Sequence, residues 1–340
     1  MKIEKRLWIT LFVFGLFAIC FSGWIFSQST TREKLFWDNT IRCETKELKE
    51  GEIKSENIAL PEDFDIPRSI LFKTTHTIAE VWLDGEKIYE YGNEPDAPGF
   101  METPGCCWHI VDIPGDSAGK SLEVRIIPVY EGYYGNEVSL VYGTRGDCIL
   151  KILTDSLGTL VISCGILFAA VICLILYCGA ARRKRRDKTE AKIEIFLNLG
   201  FFSLLVAVWT LVQCGFVQFL IPDGRTLYFV DYFSLFLFPV PFNFLLYDIC
   251  KSRYHKVALV FSSLYLANMA VDVLLQCTGI IDMSRLLSVT HVIMVANAVY
   301  TVAIILYEAR KKENDVAKKF QYPMYVAMGF GMAEMFLYYL

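Results

Sequence analysis

The chain has 340 residues, 54% of them hydrophobic, with a formal net charge of −4. That apolar share exceeds what one soluble core needs and excludes an ordinary water-soluble globule. The charge is segregated: residues 28–155 hold 13 Lys and Arg against 24 Asp and Glu, a net of −11, which argues against nucleic acid as a partner of that segment.

Residues 7–26 carry no charge and follow Lys2, Lys5 and Arg6. The run is longer than the ~7–15 apolar residues of a cleaved signal, so residues 1–27 are read as a cytoplasmic start with an uncleaved signal-anchor helix. Residues 28–154 then change character. Ala79, Val81 and Leu83 alternate with Glu80 and Trp82, Asp84-Gly85 supplies a hairpin turn, and residues 88–91 return. Alternation recurs at Leu122, Val124 and Ile126, with further strands expected at 70–75, 107–113 and 137–142. Turn-rich pieces at 93–99 and 114–119 separate them. Short strands so spaced predict an all-β sandwich.

From residue 155 the pattern becomes that of a multi-helix transmembrane bundle of six helices, at 155–181, 193–221, 226–249, 257–277, 285–307 and 321–340. Each has close to the ~20 apolar residues that cross hydrocarbon. Pro239 and Pro241 are expected to kink the third of these. With the anchor helix this makes seven spans and a multi-domain membrane protein. Lys and Arg concentrate before residue 7 and in 182–192, 251–256 and 310–319, whereas the alternate short loops hold only Arg225 and Arg285. The positive-inside rule therefore puts residues 28–154 outside a plasma membrane that the chain crosses many times. The basic run at 182–192 reads as a stop-transfer signal.

The outer segment offers Trp82, Asn93, Glu94, Asp96, Tyr130, Tyr133 and Tyr134 as candidate ligand contacts. Aromatic faces suit sugar rings, acids and amides suit hydroxyls, and loops carry binding more often than strand interiors. Trp108 is expected to pack in the core. Cys43 and Cys148 would tie the ends of the domain if disulfide-bonded, and free thiols are the alternative. His76 and His109 are read as ordinary surface or core residues, and no metal site is expected. Within the spans, Asp272, His291 and Glu334 fall in the outer halves and are candidates for transmembrane coupling, His291 with an acid forming a pH-sensitive pair. Asp231 is read as hydrated near the outer end of its span. Asn198, Asn243, Asn268 and Asn297 are expected to hydrogen-bond between helices.

The stretch ILFKTTHTIAEVWLDGEKIYEYG, followed by WHIVDIP and KSLEVRIIP, resembles the galactose-binding-like jelly roll. The order of anchor helix, jelly roll and helical membrane core resembles bacterial seven-transmembrane receptors with diverse intracellular signalling modules, and in particular the sensor regions of GGDEF-type diguanylate cyclases. That resemblance implies a small extracellular ligand such as a carbohydrate, a homodimer, and a cytoplasmic output domain. The output would be a diguanylate cyclase making cyclic di-GMP with GTP and Mg²⁺, or less often a histidine kinase.

No GGDEF, GxxxxGK[ST], HExxH or GxSxG motif occurs, so the residues present are read as non-enzymatic and cofactor-free. The last residues are apolar, and a further span with an output domain is expected beyond them. The reading is thus a sensory receptor embedded in the lipid bilayer. The rival is a multi-helix transporter with an extracellular capture domain; a surface glycosidase is a weaker rival, since no paired carboxylates are recognisable. Cysteines placed at Asp96 or Gly135 are expected to react with a membrane-impermeant maleimide on intact cells, and reaction only after lysis would reverse the topology.

Overall fold

The computed structural model describes residues 40–41, 54–59, 68–93, 98–130, 140–187, 193–250, 254–311 and 314–337. The anchor span, Cys43, Glu94, Asp96, Tyr133 and Tyr134 lie outside the described residues. The chain divides into two units: Met1–Gly165 with Thr210–Asp231, and Ile166–Trp209 with Tyr232–Leu340.

Among its described residues the first unit holds eight strands: β1 (Thr40–Ile41), β2 (Lys54–Ala59), β3 (Arg68–Thr75), β4 (Thr77–Leu83), β5 (Glu86–Tyr91), β6 (Cys106–Ile113), β7 (Ser121–Pro128) and β8 (Leu140–Gly143). They form two antiparallel sheets, ordered β1-β8-β3-β6 and β2-β7-β4-β5. Ile70 and Phe72 of β3, Val111 and Ile113 of β6 and Leu140 of β8 meet Ala79, Val81 and Leu83 of β4 and Leu122, Val124 and Ile126 of β7 in one buried cluster. The inward residues are those that alternate in the sequence, which is why the β4 and β7 patterns were readable. The sandwich expectation is met at the level of two facing sheets.

Two turns set the geometry. Asp84 (φ 48°) and Gly85 (φ 85°) both adopt left-handed conformations in the β4–β5 hairpin, the pair of positive φ values that Asp-Gly supplies at least cost. Between β3 and β4 a single residue, His76 (φ 53°), carries the chain from one sheet to the other. A non-glycine residue held there is strained and needs its surroundings to keep it. His76 N–H donates to Gly105 O at 3.0 Å and its carbonyl accepts from Val129 N–H at 3.2 Å.

Strand β3 is buried on both faces. Its outer-face Leu71 packs on Cys148 and Ile152, with Trp108, Ile110 and Val141 around them. Cys148 and Ile152 belong to α1 (Arg145–Asp187), a 43-residue helix that starts ten residues before the expected span. Its start is a capping box: Thr144 N–H and Oγ1 donate to Asp147 Oδ2 at 2.9 and 2.7 Å, and Asp147 N–H donates to Thr144 Oγ1 at 3.2 Å. At ~1.5 Å per residue α1 is roughly twice as long as hydrocarbon is thick. Its polar first turns escaped a search for apolar runs because they pack on a sheet. Trp108 likewise sits on this outer face with α1, not in the core between the sheets.

The helices that follow are α2 (Glu194–Val212), a 3₁₀ turn Gly215–Phe219, α3 (Gly224–Leu237), α4 (Pro239–Ile249), α5 (His255–Cys277), α6 (Met283–Lys311) and α7 (Asp315–Leu337). The second predicted membrane helix therefore ends at Val212, short of 221. The expected proline kink is a one-residue break at Phe238, with Pro239 opening α4. Among the described residues, five segments are long and apolar enough to cross a membrane: Arg145–Arg183, Glu194–Val212, Gly224–Ile249, Lys256–Cys277 and Met283–Arg310. The predicted last span lies in α7, whose first turns hold Asp315, Lys318 and Lys319, and is not among the five. Phe168, Ile175, Val292 and Phe330 are exposed, as lipid-facing residues are. In the second unit, Phe242, Leu245, Leu246 and Ile249 of α4 pack with Ile304 and Ile305 of α6 and Met324 of α7.

Phe72 is fully buried between the sheets. Phe72→Ala is expected to cost about 3–5 kcal/mol, read as a fall in the unfolding midpoint of the sandwich; an unchanged midpoint would contradict the core assignment.

Candidate functional site

Strand β6 is an edge strand, and the N–H and C=O groups of an edge are open to pairing. In the first unit the side chain of Gln218, from the 3₁₀ turn between α2 and α3, closes this edge. Its Oε1 accepts from Trp108 N–H at 2.7 Å, and its Nε2 donates to Trp108 O at 2.7 Å. One amide thus substitutes for one residue of a missing strand.

Three glycines let the backbones approach. A Cβ on Gly215 would lie 2.7 Å from Trp108 Nε1, and one on Gly224 would collide with Cys107 Sγ and Tyr91 Oη. Gly105 (φ 87°) faces the Gly224 carbonyl so closely that a Cβ would collide with it. Tyr91 O–H donates to Pro104 O at 2.8 Å and lies 2.9 Å from Cys107 Sγ. With the phenol proton committed to Pro104, the Cys107 thiol is the donor to Tyr91. Burial pushes Cys107 up to about 11, and burial and then Cys107 raise Tyr91, so both stay neutral at physiological pH.

Just after this contact α3 begins, capped by Asp223: Oδ2 accepts from Thr226 Oγ1 at 2.6 Å and Thr226 N–H at 3.0 Å. Burial opposes ionisation of Asp223, but the Thr226 and Arg225 hydrogen bonds and the Arg225 charge outweigh it and lower its pKa. Arg225 reaches Gly92 O, Tyr228 lies edge-on to His76 with ring centroids 6.0 Å apart, and Phe229 faces Phe100 at 6.4 Å. His76 Nδ1 is 2.8 Å from Thr103 Oγ1, and the buried Tyr130 ring lies 5.5 Å away. The strained corner of the sandwich therefore rests on the first turns of α3.

Above this corner, His109 is 2% exposed between the sheets, with Thr74 Oγ1 at 2.7 Å from Nε2 and Tyr89 Oη at 2.9 Å from Nδ1. Burial lowers it to about 3. Both histidines are core residues, as expected. Among the described residues no three His, Cys, Asp or Glu side chains are placed to hold a metal.

The candidate ligand contacts divide. Trp82 is on the outer face of the β2-β7-β4-β5 sheet, with the Arg125 guanidinium 4.5 Å and the Lys87 ammonium 5.6 Å from its ring and its indole N–H donating to Glu80. Tyr130 and the exposed Asn93, which donates to Glu90 at 3.3 Å, lie at the His76 end. Trp82 is six residues along the chain from His76, so roughly 20 Å separates the two. Trp82 and Tyr130 do not share a site. Cys148 is a buried free thiol whose Sγ approaches Ser69 O at 3.7 Å. Asp231 accepts from Gln213 Nε2 at 2.9 Å.

Within the helix unit, Asn268 Nδ2 donates to Asp272 Oδ2 at 2.7 Å and to Thr290 Oγ1 at 2.9 Å. His291, the next residue, is buried. Asp272 and the Thr290–His291 turn are thereby brought to one α5–α6 interface; the side chain of Glu334 lies outside the described residues. Asn198 donates to Asp248 and Asn297 to Tyr265, so three of the four expected asparagines bridge helices. Sequence reasoning missed Glu308, fully buried where Tyr254 Oη and Asn314 Nδ2 reach its carboxylate at 3.3 and 3.0 Å. Burial, then the Glu308 charge, raises Tyr254. It also missed Gln218, whose one available signal was an amide within an apolar run.

Comparison with family models, curated proteins and solved structures finds no match.

The depressed His109 gives an acid limb to stability. The unfolded chain takes up this proton below about 6.5 and the folded one only near 3, so stability falls as pH drops through that window. His109→Gln is expected to flatten the unfolding midpoint between those pH values, and an unchanged acid limb would contradict the buried neutral imidazole.

Proposed function

We propose that this chain is the sensory part of a membrane receptor, in which a sandwich outside the cell binds a small ligand and biases the packing of membrane helices. The observation that carries the reading is the Gln218–Trp108 pair with its Gly105–Gly224 contact. A sheet edge keyed into the segment between two apolar helices is a route for mechanical coupling that a flexible tether would not provide. The docking of Leu71 on Cys148 and Ile152 adds a second connection, at the start of α1.

The same contacts fit a topology in which the sandwich and the α2–α3 segment share one side of the membrane, and the distribution of basic loops supports an extracytoplasmic side of the plasma membrane for both. Eight antiparallel strands in two four-stranded sheets fit a jelly-roll-like domain of the galactose-binding type, and carbohydrate is the ligand class its aromatic and amide side chains suit. Asn93 is the preferred contact, since it follows Gly92, whose carbonyl meets Arg225 at the start of α3. The signal then passes to the polar α5–α6 interface at Asp272 and His291. A cytoplasmic diguanylate cyclase acting as a dimer is the proposed reader, and the chain itself catalyses nothing.

The test uses the full chain in nanodiscs with a fluorophore on a cysteine introduced at Val292, which is exposed on α6. Titration with a panel of mono- and disaccharides is expected to yield one that shifts the fluorescence. Gln218→Leu should leave its affinity nearly unchanged and abolish the shift. A shift that survives this substitution would refute the edge as the route, and accumulation of the sugar inside proteoliposomes would favour the transporter.

A further inference from the structure

The helix unit contains a layer of buried polar atoms that the receptor reading does not use. The α5–α6 hairpin is antiparallel, and its contacts step from Asn268 with Thr290, to Tyr265 with Asn297, to Phe261 with Tyr300, whose rings lie 5.5 Å apart. Ser262, between Tyr265 and Phe261, is therefore level with Asn297 and Thr301. Asn243 of α4 follows Phe242, which packs in the cluster that Tyr300 and Ile304 also join. Asn243, Ser262, Asn297 and Thr301 are 1%, 3%, 4% and 0% exposed.

Asn243 Nδ2, Ser262 Oγ, Asn297 Oδ1, Tyr300 Oη and Thr301 Oγ1 have no hydrogen-bond partner among the described residues. Helical serines and threonines ordinarily escape this state by donating to a carbonyl one turn back. Ser163 does so to Thr159 O at 2.7 Å and Thr278 to Leu274 O at 2.9 Å; Ser262 and Thr301 do not. An orphaned polar group at this depth is costly, and several in one layer do not arise from a single misplaced side chain.

The chemistry of the layer selects its occupant. Asn243 offers a donor, Asn297 an acceptor, and the three hydroxyls offer both. A cation would be repelled by the Asn243 amide hydrogens, and an anion by the Asn297 oxygen. A small molecule that donates and accepts, forming about three bonds to such groups, is water. We infer that α4, α5 and α6 enclose a cluster of ordered water molecules bonded to Asn243, Ser262, Asn297, Tyr300 and Thr301. The cluster adjoins the Tyr265–Asn297 contact and, a turn further along α5, the Asn268–Asp272 pair. It forms a repackable joint where the bundle would otherwise be dry and close-packed.

The test is X-ray hydroxyl-radical footprinting of the full chain in nanodiscs in ¹⁸O-water, because radicals generated from a bound water mark adjacent side chains however deeply buried. Tyr265, 1% exposed, should incorporate ¹⁸O severalfold faster than Phe236, also 1% exposed. The near-isosteric double substitution Ser262→Ala and Thr301→Val should reduce the Tyr265 signal severalfold and lower the unfolding midpoint. Labelling of Tyr265 no faster than of Phe236 in the unsubstituted chain overturns the inference, whether or not the variant folds. So does a Tyr265 signal that the double substitution leaves unchanged, or a raised midpoint, which dry orphan groups would produce when replaced by apolar ones.

Discussion

Where water is excluded, every amide, hydroxyl and imidazole must find a partner inside the protein, and this constraint shapes both units. In the sandwich it keeps His109 neutral between Thr74 and Tyr89. At the sheet margin it places Gln218 against the open edge of β6. In the bundle it pairs Asn268 with Asp272 and Thr290, and it gathers Tyr254 and Asn314 around Glu308. Apolar burial draws the elements together without direction; these polar pairings decide which register they hold.

The connections from sheet to helix are unusually direct. Thr144 ends the last strand's turn and caps α1, so there is no slack between β8 and a helix whose fourth and eighth residues, Cys148 and Ile152, pack on β3. His76 joins the two sheets with one strained residue and touches Tyr228 at the start of α3. A shift of the β3–β4 corner therefore moves the His76 ring against the first turns of α3. Loops of several residues would absorb such a shift, because each flexible residue adds conformational freedom. The glycines at 105, 215 and 224 serve the same end, since any side chain there would hold the backbones apart.

Much of this was legible in the residues. Apolar runs marked five spans among the described residues, Asp84-Gly85 marked the hairpin, Pro239 marked the break after Leu237, and alternation marked β4 and β7. Three asparagines expected to bridge helices do so. What escaped notice shares one physical cause: it depends on partners distant in sequence. Trp108 is one residue out of phase with the core residues Val111 and Ile113 of β6, and the face it occupies is covered by α1. The first ten residues of α1 look polar until a sheet is placed beside them. Trp82 and Tyr130 are both aromatic candidates, but strand length keeps them apart.

Local chemistry by itself determined that this chain is a membrane protein with a strand-rich insert, because transfer from water to hydrocarbon and the two-residue period of a strand act on neighbouring residues. Tertiary structure alone decided that Gln218 would finish a sheet, that Gly105 and Gly224 would meet, and that Asp272 would share an interface with Thr290. A hydrogen bond forms over about 3 Å, and only the folded chain brings groups distant in sequence within that reach.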